Sequence, residues 1–381
     1  MVMLRPERAI ETGLAPCCMR LGGMVTTLMR LVAGAAGLSL LLAGCGSAPE
    51  EDSGSGTAAS DFSACMVTDL GGIDDRSFNA SSWEGMQAAA KSTGAKVNYV
   101  VSTSENDYVP NITRLISQKC DLIVSVGGLM AEATSQAAKS NPDQKFAIVD
   151  SSSVPPNVYG MEFNTAQSSF LAGYLAAAMS KTGKVATFGG LPIPPVTIFM
   201  DGFYEGVQYY NEQKDKDVKV LGWDPAKPKS GSMANSFNDQ AAGKRIAGNF
   251  IQQGADIIFP VAGGTGLGAA AAAQESGGKV SAIWVDTDGC VSAAQYCDVF
   301  LTSVMKSVAK AVQTTVETAA KGQQLSGSYL GTLENGGTGL APFHQFEDKV
   351  PAELKQELEQ IKQDIISGKI KIKSANQPKS S

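Results

Sequence analysis

A single histidine, His344, stands among the 381 residues. Serine and cysteine hydrolase triads, and metal sites built on imidazole, each need at least one well-placed histidine. The only one here falls in a loop-like stretch near the C-terminus, where a surface position is expected. No catalytic residue and no metal ligand set is therefore assigned, and no cofactor motif is found. Basic runs are also missing, and the net charge is −6. A nucleic-acid partner is not expected from such a chain. Apolar runs long enough to span a bilayer as a helix, roughly 20 residues, are absent too. What is present is ordinary for a globular protein: 43% hydrophobic residues, 18% charged residues and 41 glycines, many of them in loops after apolar runs. The length suits about two domains.

The first 60 residues read as an address. Arg30 precedes an apolar run of about 12 residues, Leu31 to Leu42, which suits the core of a secretory signal and is too short to cross a membrane. Leu42-Ala43-Gly44-Cys45 resembles the lipobox of bacterial lipoproteins. That resemblance implies cleavage before Cys45 and lipidation of its thiol, palmitate included. It places the mature protein on the extracytoplasmic face of the cell membrane. Residues 46–60 (GSAPEEDSGSGTAAS) have the composition of a flexible tether. The signal is complete from Met24 onward, so both Met1 and Met24 remain open as starts. Beyond Cys45, four cysteines remain: Cys65, Cys120, Cys290 and Cys297. Export permits disulfides. The pairs 65–120 and 290–297 are compatible with the spacing, but four cysteines allow three pairings.

From Ala64 the chain alternates strand-like and helix-like segments. Strands are expected at 65–69, 96–102, 122–127 and 146–150, with helices at 79–93, 108–118, 130–140 and 168–180. In the first helix Trp83, at helical spacing with Met86 and Ala90, reads as core. The rhythm restarts with strands at 184–188, 218–223, 257–261 and 282–286 and helices at 196–213 and 241–253. An apolar run follows at 300–305, a helix at 308–321, a strand near 329–333 and an amphipathic helix at 351–367. This order predicts an α/β protein with two lobes, each a parallel sheet flanked by helices. The boundaries are 61–178 for the first lobe and 184–302 for the second, with 303–375 as crossover and C-terminal segments. Ligands of open parallel sheets bind beyond the carboxyl ends of the strands, so two facing lobes make a cleft.

Residues 69–85 (DLGGIDDRSFNASSWEG) resemble the signature of the basic membrane protein family. Further blocks agree in order: SSFLAGYLAA at 168–177, SFNDQAAGKRIA at 236–247, FPVAGGTGLGA at 259–269, WVDTD at 284–288 and LTSVMK at 301–306. The resemblance spans about residues 64–370. It implies the two-lobed type I periplasmic binding protein fold, a monomer, and a purine nucleoside (inosine, guanosine or adenosine) passed to the permease subunits of an ABC transporter. In that family a purine lies between two aromatic rings, with acidic residues and a lysine on base and ribose. Carried onto this chain, the resemblance points to Asp69, Phe78, Asn79, Asp150, Phe237, Asp286 and Lys306, with Phe199, Gly263 and Thr197 as further candidates.

The residues support a related reading on their own chemistry. Asp69, Asp150 and Asp286 end strands, where a carboxylate accepts from ribose hydroxyls or caps the next helix. For Asp74 and Asp75 capping is the expected role. Phe78 and Phe237 fall in loops of opposite lobes, suited to stacking on a flat base or to plugging a core. GGTGLG at 263–268 matches neither the dinucleotide fingerprint nor a P-loop, and is read as backbone closing on a ligand at a helix N-terminus. A sugar or another small polar solute, a signalling receptor or adhesin, and a metal-dependent nucleoside hydrolase using Asp74, Asp75, Asp286 and Asp288 are the competing functions.

Overall fold

The computed structural model describes residues 61–379. The signal segment, Cys45 and the polar stretch after it lie outside the described residues. In chain order the elements are β1 (Ser63–Thr68), α1 (Phe78–Thr93), β2 (Lys96–Val100), α2 (Tyr108–Ser117), β3 (Leu122–Val126), α3 (Ala131–Ser140), β4 (Lys145–Val149) and β5 (Val158–Phe163). There follow α4 (Thr165–Met179), β6 (Lys184–Gly189), α5 (Pro194–Lys214), β7 (Lys219–Leu221), α6 (Gln240–Gln252), β8 (Ile257–Val261), α7 (Gly266–Glu275) and β9 (Ser281–Asp286). The last are α8 (Gly289–Ser292), β10 (Phe300–Lys306), α9 (Val308–Ala320), β11 (Ser328–Gly331), β12 (Thr338–Leu340) and α10 (Ala352–Ile366).

The strands form two six-stranded sheets, ordered β11-β5-β4-β3-β1-β2 and β12-β10-β9-β8-β6-β7. Every pairing is parallel except that of β10 with β12. Central strands are apolar on both faces, as a parallel sheet covered by helices demands: β3 (LIVSV) and β8 (IIFPV) are buried at every position. The chain passes between the sheets three times, after Phe163, after Lys306 and after Gly331. The second passage carries α9 back to the first sheet, where Val308, Val312 and Val316 join Met66, Val124 and Met161 in one core.

α4 stands differently from the expected division at residue 178. Its core partners are in the second lobe, where it packs on α5, α10, β10 and β12. The reason lies in its composition. Twelve of its 15 residues are buried, so it has no polar face to turn to solvent and needs cover on all sides. Two strands were not foreseen, β5 and β12. β5 follows a Pro-Pro pair and β12 has three residues, so neither shows a legible alternation. Cys65 on β1 and Cys120 just before β3 are bonded across adjacent strands, with Cα atoms 5.9 Å apart. Cys290 and Cys297 close a short loop, with Cα atoms 4.5 Å apart. Both separations suit a disulfide.

α4 and α5 approach closely because glycines face the opposing backbone. A Cβ on Gly173 would stand 2.1 Å from the Phe203 carbonyl oxygen, and one on Gly206 would stand 2.0 Å from that of Phe170. Backbone cannot yield as a flexible side chain can. Gly206→Ala is therefore expected to lower unfolding free energy by about 2 kcal/mol in denaturant titration. An unchanged midpoint would contradict this account of the helix pair.

Candidate functional site

The carboxyl ends of the two sheets face a common cavity. From the first sheet it is lined by Asp69, Phe78, Asn79 and Asp150, and from the second by Phe199, Phe237, Gly263, Asp286 and Lys306. All seven leading candidates of the sequence reading, with Phe199 and Gly263 of the further ones, thus meet at one place. Thr197 does not join them. Its hydroxyl donates to the Ile193 carbonyl one turn back (3.2 Å), and it lines a separate open groove beside α5.

Asp69 follows β1 directly, its N–H donating to Val126 O (3.1 Å). Gly127 makes room for it. At φ 114°, Gly127 holds a conformation L side chains rarely adopt, and a Cβ there would fall 2.1 Å from Asp69 Oδ2. Asn79 Nδ2 donates to Asp69 Oδ1 (3.0 Å). The other amide atom of Asn79, Oδ1, is buried with no hydrogen-bond partner. Buried polar atoms are nearly always paired, so this acceptor, on a residue that lines the cavity, is left open to a solute N–H or O–H. Asp75 also lines the cavity. Its carboxylate accepts from the N–H groups of Ser77 (3.1 Å), Asn79 (2.8 Å) and Ala80 (2.9 Å), which fulfils the capping role expected for it.

Asp150 and Asp286 occupy matching strand ends in the two sheets, and both take left-handed backbone, φ 65° and 66°. This region is uncommon for residues other than glycine, and such strain clusters at functional sites. Lys306 ends β10. Its Nζ lies 2.5 Å from Asp150 Oδ2, an almost fully buried ion pair joining the lobes. Three rings surround the ammonium, Phe78, Phe163 and Phe199, with centroids at 4.7, 5.3 and 5.7 Å.

Four carboxylates around one lysine cannot all ionise cheaply in a dry cleft. Burial pushes Asp69 up to about 8, an effect that Asn79 opposes and that Asp75 and Asp150 reinforce. Burial likewise lifts Asp75 to about 6 against its three backbone donors. Asp150 and Asp286 are raised by burial as well, with Lys306 pulling both back. The arrangement offers a neutral, hydroxyl-bearing solute several acceptors and one cationic donor.

Sequence reasoning placed GGTGLG as backbone aimed at a ligand. Gly263 does line the cavity, but the Thr265 N–H is engaged by Phe237 O (2.9 Å) and Ala262 O (3.1 Å). The loop's other task is to hold Phe237 in place. Asp74 is exposed and Asp288 caps α8 through the Cys290 N–H (3.0 Å). Asp288 Oδ2 also meets His344 Nε2 at 2.7 Å. Cys290, the third group near that pair, has its sulfur in a disulfide. Of the four aspartates weighed as a hydrolase cluster, Asp75 and Asp286 line the cavity, while Asp288 pairs with His344 and Asp74 is exposed.

Because burial holds Asp69 protonated up to about pH 8, while the unfolded chain releases that proton near the ordinary 3.8, the unfolded state binds fewer protons between those values. Stability therefore falls as pH rises through that window. Asp69→Asn removes the effect. Its gain in melting temperature over the wild type is expected to be larger at about pH 8 than at about pH 5. Equal differences at both would contradict the burial of this carboxyl.

Comparison with known proteins agrees with this geometry. A family model described as ABC transporter substrate-binding protein PnrA-like matches residues 62–376. A CD4+ T-cell-stimulating antigen of Listeria innocua is 33% identical, covering 87% of this chain and 94% of the relative. The ABC transporter nucleoside-binding protein BmpA of Lactococcus lactis is 32% identical, over 88% and 95%. Basic membrane protein A of Borreliella burgdorferi is 31% identical, over 84% and 91%. Among solved structures, an ABC transporter solute-binding protein of Aeropyrum pernix superposes with a TM-score of 0.73 at 27% identity, over 81% of this chain and 92% of that one. One from Conexibacter woesei, at 22% identity and a TM-score of 0.63, shares the fold. The two sheets with their flanking helices are the two-lobed periplasmic binding fold, and the chain belongs to the Bmp family of PnrA-like ABC transporter substrate-binding proteins.

Proposed function

We propose that this substrate-binding protein captures a purine nucleoside in the cleft, outside the membrane to which Cys45 tethers it, and delivers it to an ABC permease. The observation that carries the reading is the composition of the cavity wall. Phe78 and Phe237 come from opposite lobes, and Asn79 offers an unpaired amide oxygen beside them. A flat base stacked on such rings gains ~1–3 kcal/mol. Asp150, Asp286 and Lys306 sit at the lobe seam and suit the hydroxyls of a ribose. The name of the Lactococcus lactis relative is consistent with this solute class. The same carboxylates argue against a nucleotide, since a phosphate would enter a wall that bears four of them and one lysine. A sugar remains the second reading, because carboxylates and rings also hold pyranoses. It differs in depending less on two facing rings.

Calorimetry decides between them. Inosine, guanosine or adenosine is expected to bind in the micromolar range or tighter, with no turnover. Inosine monophosphate should bind at least about a hundredfold more weakly. Phe78→Ala and Phe237→Ala should each weaken nucleoside binding by roughly 10- to 100-fold. No heat with any of the three nucleosides would overturn the assignment.

Anchoring is tested separately. No helix among the described residues is long and apolar enough to cross a membrane. The full chain expressed in a bacterium should incorporate labelled palmitate and partition into detergent. Cys45→Ser should do neither. An unlabelled wild type, or a variant that still partitions into detergent, would remove Cys45 as the tether.

A further inference from the structure

Ser77 precedes α1 at the position whose hydroxyl ordinarily caps its own helix. Here that hydroxyl makes no cap bond. Asp75 accepts the free N–H groups instead. The fully buried Ser77 hydroxyl is thereby released to donate across the seam, to Asp286 Oδ2 in the second sheet at 2.7 Å. Its neighbour Arg76 takes left-handed backbone, φ 55°, and presents its carbonyl to the Thr287 hydroxyl (3.2 Å). The guanidinium Nη1 of Arg76 donates to the Ser292 carbonyl (3.3 Å). Thr287 and Ser292 join through their hydroxyls at 2.9 Å. Since the Thr287 proton goes to Arg76, Ser292 is the donor in that last bond. The three bonds therefore close a ring between the lobes.

We propose that Arg76 and Ser77 form a latch with Asp286, Thr287 and Ser292 that holds the lobes shut over a bound solute and sets how long it stays. Of these five, Asp286 alone lines the cavity. The other four act through it and through the lobe contact, as positioning residues. Ser77 fixes one oxygen of Asp286, which leaves the second for the solute. Bonds made only in the closed form resist opening and leave encounter with the open form untouched. The latch requires that the protein binds a solute, and does not depend on that solute being a nucleoside.

Stopped-flow fluorescence with inosine as the probe separates the two rates. Ser77→Ala is expected to speed dissociation about tenfold, since it removes a hydrogen bond to a carboxylate. Thr287→Val keeps the side-chain shape, deletes the hydroxyl of the ring and should speed dissociation severalfold. Arg76→Ala should do likewise, and Arg76→Lys, which keeps a donor, should restore most of the loss. Association should stay within about twofold throughout. Unchanged dissociation in Thr287→Val and Arg76→Ala, or a loss carried by association, overturns the latch even if Ser77→Ala proves unstable. If the wild type binds none of inosine, guanosine and adenosine, the nucleoside reading fails on its own. The same rate constants are then measured with the solute identified by mass spectrometry on natively purified protein.

Discussion

Lys306 governs the arrangement of the cleft. It is the last residue of β10, the point from which the chain leaves the second sheet for α9 on the first. A charge buried this deeply persists only if paired. Its partner, Asp150, belongs to the other sheet, so the pairing is satisfied only when the lobes meet. Removing one member of such a pair costs more than the pair contributes, because the survivor is left charged in a dry site. The rings of Phe78, Phe163 and Phe199 complete the shell around the ammonium. Asp150, Phe78 and Phe199, which all line the cavity, are thus tied to one lysine.

Around that centre the loops divide their tasks. Asp75 caps α1, which leaves Ser77 free to reach Asp286. Gly127 has no side chain, which leaves space for Asp69. Thr265 holds the backbone of Phe237 through its N–H, and its hydroxyl accepts from the Asp239 N–H (2.9 Å) at the start of α6. Each arrangement shows a backbone constraint met in one residue so that a neighbour can face the cavity. The matching left-handed conformations of Asp150 and Asp286 follow the same logic, at corresponding ends of the two sheets.

The cleft was largely legible in the sequence because parallel sheets put their loops at one end. An acidic residue at the close of β1, β4 or β9 had nowhere to go but the cleft mouth. The limits of β8 could be read to the residue, since an unbroken apolar run bounded by turns leaves little choice. What was hidden depended on contacts distant in sequence. The all-round apolar surface of α4 shows that it must be buried and does not say by which lobe. β5 and β12 owe their existence to neighbours β4, β11 and β10, and carry little pattern of their own. Ser77 stands where a helix cap is ordinarily found, and only its partner 209 positions away shows that its hydroxyl serves the other sheet.

The central claim is that the cavity between the sheets is built for a neutral solute with a flat base and hydroxyls. Native mass spectrometry of the protein, purified without denaturation from a bacterial host, tests it most directly. The account predicts a bound molecule with the mass of a purine nucleoside, lost on Asp286→Ala or Lys306→Ala substitution. A bound monosaccharide, or a phosphorylated ligand retained by the wild type, would contradict it.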